Sequence, residues 1–376
     1  MNFSTIEGYE PIKKQLVSGI QQQRVGHAQL FWGPQGNAGL ALALSSITYL
    51  SCQYRRNDDA CGQCASCIKM KKWEHPDVKF IFPTGATHKG DYTTQNTQLN
   101  TFRQFLKVSP YGNEDDWSHY LNNKQKSFTI TKGAVNALKK ELSFKPVEST
   151  YRFILIWLPE YLHKAAANAL LKIIEAPPVD TLFLLVSTQY ERILGTIRSR
   201  TQQLYIPPFT DEGITKVLVQ KYKLNQVECE RIALLSAGDL NKATQLATQD
   251  ISTYFDSFKH WMRACYTRNF IQLTAQAKLF QSLPVRTQKS TLAYILHMLR
   301  AVLLRHIGTP ITLSRVSTEE SLFIHNLSQT TTYTQLKEWI KWLVAAHYHL
   351  DRQANPRIVH LNTSLNVVRS FHPNLI

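Results

Sequence analysis

The sequence predicts an α/β protein whose N-terminal half builds a parallel sheet and whose C-terminal half is helical. Nearly continuous apolar runs are typical of strands that helices cover on both faces of such a sheet. Three such runs occur, at residues 27–32, 153–158 and 181–186. A glycine-rich loop at 33–39 follows the first run, and an Ala/Leu-rich stretch at 40–50 follows the loop. Strand, loop and helix in this order begin a parallel nucleotide-binding fold.

A helix connects the second and third predicted strands. Ala166, Leu170 and Ile174 recur at helical spacing. Pro177 and Pro178 end this helix, because proline lacks an N–H donor and clashes with the preceding turn. The two strands and the helix form one βαβ unit.

Composition indicates where the remaining parts of the chain begin and end. Residues 83–126 are polar and carry an acidic patch, so we expect a surface insertion that is partly loop. Pro207 and Pro208 mark a boundary, and beyond residue 251 no strand pattern recurs. Helical periodicity is found at 211–222, 226–235, 292–306 and 334–349. The expected domains are a nucleotide-binding-like core at 1–207 with a cysteine module at about 50–76, a small helical lid at 208–250 and a helical domain at 251–376.

Hydropathy and charge exclude some classes of protein. No apolar run approaches the ~18 residues needed to cross a bilayer, and the first residues lack the apolar core of a secretory signal. We therefore expect a cytoplasmic protein without a membrane partner. Lys and Arg outnumber Asp and Glu by 43 to 27, and the net charge of +16 would attract nucleic acid or an acidic partner. Because the basic residues are spread along the chain, the charge alone does not decide whether the chain contacts a polyanion directly.

The loop at 33–39 begins like a phosphate-binding P-loop. In that motif N–H groups wrap phosphate, a lysine neutralises it and a Ser or Thr hydroxyl holds Mg²⁺. Gly33 and Gly36 keep the shape of the loop, but Ala38 replaces the second glycine of the motif. Gly39 stands at the lysine position and Leu40 at the hydroxyl position. The loop therefore lacks the groups that hold ATP, and a plain strand-to-helix turn is the alternative.

The acid that hydrolysis requires at a strand end is also out of place. The nearest carboxyl, Glu160, comes after Pro159 and is displaced from the end of the second apolar run. We therefore expect that this chain neither binds ATP tightly nor catalyses its hydrolysis.

Clustered cysteines predict a metal site. Four of the six cysteines fall within sixteen residues: Cys52, Cys61, Cys64 and Cys67. Where thiols stay reduced, such a cluster indicates a metal site rather than disulfides, and four thiolates complete a closed, structural Zn²⁺ site. An iron–sulfur cluster and unliganded thiols are the alternatives, although the C-P continuation of ferredoxins is absent. His75 is another candidate ligand, but we expect it to pack locally at the start of a strand at 78–81.

Several motifs occur in a characteristic order. They are His27-Ala28 before the first strand, the cysteine cluster after the first helix, His75-Pro76-Asp77, and segments 166–172, 174–178 and 197–201. In this order the chain resembles the delta prime family of clamp-loader subunits of bacterial DNA polymerase III, in the AAA+ superfamily. The resemblance covers most of residues 1–210. It departs from the family at Ala176, where members usually have Glu, and at Thr201, where they have Cys.

The resemblance implies an AAA+ core with a zinc module, a helical lid and a C-terminal helical collar that serves oligomerisation. In this family five subunits form an open ring, and each ATP lies at an interface where the next subunit inserts an arginine. Arg200 stands at that position, with Ser199 positioning its loop and Arg198 as a second candidate. A guanidinium is always charged and presents a planar fork of donors to a γ-phosphate. Without the family context, an ion pair between Arg200 and a surface carboxylate is the alternative.

The resemblance also implies a function without turnover. Asn241 stands where active members place a sensor arginine, with Lys242 next to it. The implied partners are delta and gamma/tau-type subunits and, through the complex, the sliding clamp and primed DNA. The implied role is that of a non-catalytic subunit of the polymerase holoenzyme, which supports ATP-dependent clamp loading. An AAA+ ATPase with an aberrant P-loop and a zinc-dependent nucleic-acid-binding protein are the alternatives.

Overall fold

Two compact units make up the chain in a computed structural model that describes residues 1–85, 93–121, 128–222, 224–248, 252–308 and 317–372. The first unit comprises Met1–Val217 and Ala237–Lys242, and the second comprises Leu218–Ser236 and Ala243–Ile376. In the stretches described, no helix combines the length and the apolar character needed to cross a lipid bilayer.

Strands of the first unit form the predicted parallel sheet. The strands are β1 (Ala28–Trp32), β2 (Val78–Ile81), β3 (Thr84–Gly85), β4 (Phe128–Thr129), β5 (Arg152–Trp157), β6 (Thr181–Ser187) and β7 (Gln202–Tyr205). Five of them pair in parallel in the order β2-β5-β6-β1-β7, while β3 and β4 form a separate antiparallel pair. Every residue of β5 and β6 is buried, which confirms that their continuous apolar runs form strands covered on both faces.

Helices cover this sheet. They are α1 (Glu10–Gln21), α2 (Gly39–Ser51), α3 (Ala65–Lys72), α4 (Thr93–Val108), α5 (Glu114–Tyr120), α6 (Lys132–Glu141), α7 (Lys164–Glu175) and α8 (Gly195–Arg198), and α9 (Asp211–Tyr222) then leads into the second unit. All 13 residues of α2 are buried. The hydroxyls of Ser46 and Thr48 donate to the carbonyls of Leu42 and Leu44 one turn earlier, which satisfies these polar groups inside the core.

The expectation of a polar surface insertion at 83–126 is wrong for its centre. Helices α4 and α5 occupy 93–108 and 114–120, while residues 86–92 and 122–126 lie outside the described part of the chain. Phe102, Phe105 and Trp117 are fully buried, and each of these rings lies within 6.4 Å of the ring of Trp157 at the end of β5. The indole N–H of Trp117 donates to the carbonyl of Pro83 at 2.8 Å. A few aromatic residues therefore dock an otherwise polar segment on the core.

The second unit is helical throughout its described residues. Its helices are α10 (Gln226–Ser236), α11 (Leu240–Leu246, whose first residues belong to the first unit), α12 (Ser252–Tyr266), α13 (Phe270–Ser282), α14 (Val285–His306), α15 (Thr318–Thr330), α16 (Tyr333–Asp351) and α17 (Pro356–Phe371). The predicted helices near 211–222, 226–235, 292–306 and 334–349 are thus confirmed. Trp261 and Trp339 are buried between these helices, and the Trp261 N–H donates to Ser364 Oγ at 2.8 Å.

Candidate functional site

The glycine-rich loop between β1 and α2 is closed by a carboxylate from a distant segment. Gly36 has a φ of +74°, and a Cβ at this position would lie 1.9 Å from Asp239 Oδ1, so only glycine fits. The N–H of Leu240 donates to the carbonyl of Gly36 at 3.3 Å, and the N–H of Lys242 donates to Asp239 Oδ1 at 2.9 Å. The segment Ala237–Lys242 therefore packs directly on the loop.

Hydrogen bonds within the chain also occupy polar groups that would otherwise face a phosphate. Asn37 Oδ1 accepts the N–H of Gly39 at 2.5 Å, although N–H groups of this type are what a phosphate-binding loop presents to its ligand. On the other side, the Tyr9 hydroxyl donates to the carbonyl of Pro207 at 2.8 Å, and its ring packs edge-on against Phe209 with centroids 4.9 Å apart. The loop is thus held by contacts within the chain.

The residues at the lysine and hydroxyl positions carry no charge or hydroxyl. Gly39 and Leu40 begin α2 and are buried. The cation nearest in sequence to the sensor position, Lys242, lies beside Asp239. Burial lowers the pKa of Lys242, whereas the Asp239 carboxylate acts in the opposite direction. The Asn241 amide donates to a carboxylate oxygen of Asp116 in α5.

Glu160 lies in a short 3₁₀ helix, Pro159–Tyr161, beyond the end of β5, as its sequence position indicates. Only 8% of the residue is exposed. Its Oε1 accepts hydrogen bonds from the N–H and hydroxyl of Thr188 at 3.2 and 3.3 Å, while Oε2 is buried without a hydrogen-bond partner among the described residues. Burial raises the pKa of Glu160, against the opposing effect of these hydrogen bonds. This carboxyl is packed into the protein.

Arg200 lies at the surface after α8. Its Nε is 2.6 Å from Glu175 Oε1, and its Nη1 donates to the carbonyl of Thr196 at 3.2 Å and to Ser199 Oγ at 3.3 Å. The side chain keeps 41% of its surface exposed. The structure thus contains the ion pair with a surface carboxylate that the sequence left as an alternative. Ser199, which we expected to position the loop of Arg200, accepts a hydrogen bond from the Arg200 guanidinium.

Arg198 is less exposed than Arg200, with 26% of its side chain exposed. Its guanidinium lies over the ring of Tyr190, 4.6 Å from the centroid, and its Nη1 is 3.2 Å from Glu191 Oε2. The Tyr190 ring stacks in turn on Trp32 at 4.3 Å. These contacts give Arg198 a partner on its own surface.

The cysteine cluster forms a set of sulfur atoms that could hold one metal ion. The Sγ atoms of Cys52, Cys61, Cys64 and Cys67 all lie within 4.8 Å of one another. Cys52 follows α2 directly, and Cys64 caps the N-terminus of α3 by accepting the N–H of Cys67. The Sγ atoms of Cys52 and Cys64 are 4.0 Å apart, and those of Cys61 and Cys67 are 3.9 Å apart. A tetrahedral ion with bonds of about 2.3 Å to sulfur requires sulfur separations of about 3.8 Å, so the cluster fits Zn²⁺.

Backbone donors support a thiolate at Cys61, whereas burial raises the pKa values of Cys52 and Cys67. Cys61 Sγ accepts the N–H groups of Gln63 and Cys64 at 3.4 and 3.3 Å, and these bonds lower the pKa of Cys61 to about 6. Cys52 Sγ accepts the N–H of Cys61 at 3.3 Å. Donors aimed at sulfur stabilise the negative charge that a metal-bound thiolate carries.

His75 lies outside this cluster, as expected. Its Nδ1 accepts the N–H of Asp77 at 3.2 Å, and the residue is 1% exposed just before β2. Asp77 in turn accepts the N–H groups of Val147, Glu148 and Ser149 at 2.6–2.8 Å. Burial alone would raise the pKa of Asp77, but these donors bring it below the usual value. The His75-Pro76-Asp77 motif therefore holds the loop at residues 147–149, and His75 bonds to Asp77 rather than to a cysteine of the cluster.

A lysine-lined groove lies between α6 and α7. It encloses about 650 Å³, and its charged lining residues are Lys132, Lys139 and Lys172. Asn136 and Asn168 add amide groups to the same groove. The remaining lining is mostly apolar, so the groove combines three cations with apolar surface from Leu142, Ala165, Ala169, Ile173, Ala176 and Pro178.

The sequence did not indicate Asp239 or α5 as neighbours of the loop, or that Asn37 within the loop would accept the Gly39 N–H. Asp239 is 203 residues from Gly36, and no local pattern predicts contact over that separation. The glycine at position 36 was a signal in reach, because glycine is typical of positions with a positive φ and of close approaches.

A five-stranded parallel sheet in the order β2-β5-β6-β1-β7, with a glycine-rich loop between β1 and α2, defines an α/β protein of the P-loop type. The family model described as "DNA polymerase III, delta subunit" matches residues 8–210. The chain belongs to this family.

Curated relatives agree with this family. The DNA polymerase III subunit delta' of Yersinia pestis is 29% identical over 238 residues, which are 63% of this chain and 58% of that protein. The Bacillus subtilis protein of the same name is 26% identical over 210 residues, 56% of this chain and 51% of that protein. Bacillus subtilis DNA polymerase III subunit tau is 25% identical over 262 residues, 68% of this chain and 39% of that protein. The chain thus spans little more than half the length of the delta' relatives, and the predicted resemblance is confirmed.

Proposed function

We propose that this chain is the non-catalytic delta prime subunit of a DNA polymerase III clamp loader. In this role it supports ATP-dependent loading of the sliding clamp onto primed DNA without hydrolysing ATP itself. The observation that carries the proposal is the closed glycine-rich loop. In this loop Asp239 packs on Gly36, and Asn37 Oδ1 accepts a hydrogen bond from the Gly39 N–H.

A degenerate P-loop follows from these contacts. The Asp239 carboxyl, with Lys242 beside it, already fills the space next to Gly36, so a phosphate at this place would have to displace that side chain. No lysine or hydroxyl stands at the positions that hold phosphate and Mg²⁺. Glu160 faces Thr188 inside the protein, so it does not serve as the acid that orients water.

Arg200 is the group by which the chain would act on a neighbour. It is the more exposed of the two candidate arginines, and Glu175 and Ser199 orient its guanidinium at the surface. An arginine supplied in trans neutralises charge that develops on the γ-phosphate. Arg200 would thus complete the ATP site of an adjoining gamma/tau-type subunit.

The cysteine cluster would hold a structural Zn²⁺ ion. Four thiolates close the coordination shell, so no position is left for a substrate or water. The Asp59 carboxylate beside the cluster accepts the N–H groups of Phe3 and Ser4 at 3.1 and 2.9 Å. The metal would thereby order the loop that carries Asp59 and holds the N-terminal turn.

Two surfaces suit the proposed partners. The lysines of the α6–α7 groove offer contacts to the phosphates of primed DNA.

In the second unit, Ile271 and Leu279 of α13 are 86% and 66% exposed, and they share one side of the helix. An apolar side of this kind suits contact with another subunit of the ring. We expect the complex in the cytoplasm.

Co-purification from the native cell tests the assignment. We expect an affinity-tagged chain to capture delta and gamma/tau-type subunits, while the isolated chain shows neither ATP binding nor turnover. ATP turnover by the isolated chain would favour the alternative of an aberrant but active ATPase. Tight DNA binding by the isolated chain without any loader subunit in the captured material would favour a zinc-dependent nucleic-acid-binding protein.

A further inference from the structure

Helices α4 and α5, with the turn between them, contact three segments near the glycine-rich loop in a way that the proposed function does not explain. This segment, residues 93–120, is called the insertion below. It reaches the surroundings of the loop at three points, all within the first unit. Each point involves a different structural element next to the loop.

The first point is a hydrogen bond at the sensor position. The Asn241 amide donates to a carboxylate oxygen of Asp116 in α5. Asn241 belongs to the segment Ala237–Lys242, whose Asp239 packs on Gly36 and whose Leu240 N–H donates to the Gly36 carbonyl. The insertion therefore holds the segment that closes the loop.

The second point is an aromatic contact at Phe209, whose N–H donates to the carbonyl of Gly238 in the segment Ala237–Lys242 at 3.0 Å. Tyr111 lies between α4 and α5, and its ring packs edge-on against Phe209 with centroids 5.5 Å apart. Phe209 packs in turn on Tyr9, which donates to the Pro207 carbonyl. Burial raises the pKa of Tyr111 to about 12, as expected for a phenol inside this contact.

The third point lies beyond the end of β5. The Tyr161 hydroxyl donates to Glu114 Oε2 at the start of α5. Tyr161 is in the same short 3₁₀ helix as Glu160, the displaced strand-end acid. The aromatic rings of the insertion also pack on Trp157 at the end of this strand.

We propose that the insertion is an internal plug. It links the elements around the glycine-rich loop, which lacks the P-loop lysine, as a bound nucleotide would otherwise link them. The inference rests on the proposed absence of nucleotide binding by this chain. In an active site of this fold, the ligand contacts the loop, the strand end and the sensor segment at once. Here Glu114 holds the turn after β5, while Asp116 and Tyr111 hold Asn241 and Phe209, so the segment that closes the loop stays in place at any ATP concentration.

Hydrogen–deuterium exchange of the full chain tests this proposal. Asn241→Asp places a second carboxylate against Asp116 and should open the Ala237–Lys242 segment. We expect amide exchange across residues 33–42 to become about tenfold faster, which is the effect of losing one hydrogen bond to a charged group. Asp116→Ala should have the same effect. His119→Ala, on the exposed side of α5, should leave exchange at 33–42 unchanged.

A further variant separates the plug from the stability of α5 itself. Asp116 also caps α5 in a reciprocal bond with Asn113, so Asn113→Ala weakens the cap without removing the bond to Asn241. Faster exchange in Asn241→Asp but not in Asn113→Ala supports the plug. Unchanged exchange in Asn241→Asp overturns it, even where co-purification upholds the proposed function. Faster exchange without loader subunits in the captured material would overturn the proposed function and leave the plug standing.

Discussion

Arg200 Nε lies 2.6 Å from Glu175 Oε1, and both side chains remain about half exposed. A pair with this exposure contributes only about 0–1 kcal/mol to stability, because water screens it and ordering two long side chains has an entropic cost. Its main effect is to orient the guanidinium, whose Nη1 also donates to Ser199 Oγ. The contact is therefore compatible with an arginine that acts outside its own chain.

Arg200→Ala should lower ATP turnover at the one site that it completes by about 10³-fold or more, since an arginine in trans neutralises charge in the transition state. Steady-state ATP turnover of the assembled loader on primed DNA measures this loss. Arg198→Ala separates the two candidate arginines, and we expect it to have the smaller effect, because 26% of the Arg198 side chain is exposed against 41% of that of Arg200. Equal turnover in Arg200→Ala and wild type would contradict the role in trans.

Zinc removal should destabilise the first unit. Elemental analysis should find about one zinc ion per chain, and Cys64→Ser should lose it, because a structural site needs all four thiolates. We expect Tm to fall by about 5–10 °C, since metal binding contributes directly to folding. Cys229→Ser is the control for metal content, because Cys229 lies outside the cluster. Iron in place of zinc, or full metal content in Cys64→Ser, would refute the site.

Glu160→Gln should stabilise the protein at neutral pH and have little effect in acid. Burial raises the folded-state pKa of Glu160 above its ordinary value of 4.5, so ionisation favours the unfolded state. The contribution of this group to stability is complete below pH 4.5 and is lost as pH rises toward the folded-state pKa. Each unit of that rise corresponds to about 1.4 kcal/mol. Urea unfolding from pH 5 to 8 measures the difference, and a constant difference across this range would disprove the effect.

Lys139→Ala and Lys172→Ala should weaken binding of the assembled loader to primed DNA. Each lysine that neutralises a phosphate releases a counterion, so each loss should reduce the slope of log K against log salt by about 0.7–0.9. Lys14→Ala, on the exposed side of α1, controls for the change in net charge. If Lys14→Ala and the groove variants had the same effect, only the total charge would matter.

The sequence was sufficient for the features that depend on local pattern. Continuous apolar runs predicted β5 and β6, Pro177 and Pro178 predicted the end of α7, and cysteine spacing predicted which sulfur atoms meet. All three follow from short-range periodicity or from the geometry of a turn.

The sequence was insufficient where contacts between distant segments decide the structure. The neighbours of Phe102, Phe105 and Trp117 in the sequence are mostly polar. The sequence pattern therefore indicates a polar segment, although these three rings are buried. The contact of Asp239 with Gly36 and the bond between Asn241 and Asp116 join segments more than 120 residues apart. Such contacts form only after the sheet brings their segments together.

The position of Asp239 also limits attempts to convert this subunit into an ATPase. Restoring Gly, Lys and Thr at Ala38, Gly39 and Leu40 would recreate the motif on paper. The engineered side chain at 39 would then meet Asn37, whose Oδ1 would lie 2.8 Å from its Cβ, while Asp239 would still fill the space above Gly36. A successful graft must therefore also change Asn37 and shorten the side chain at 239, so recovery of activity requires coordinated changes in two remote parts of the gene.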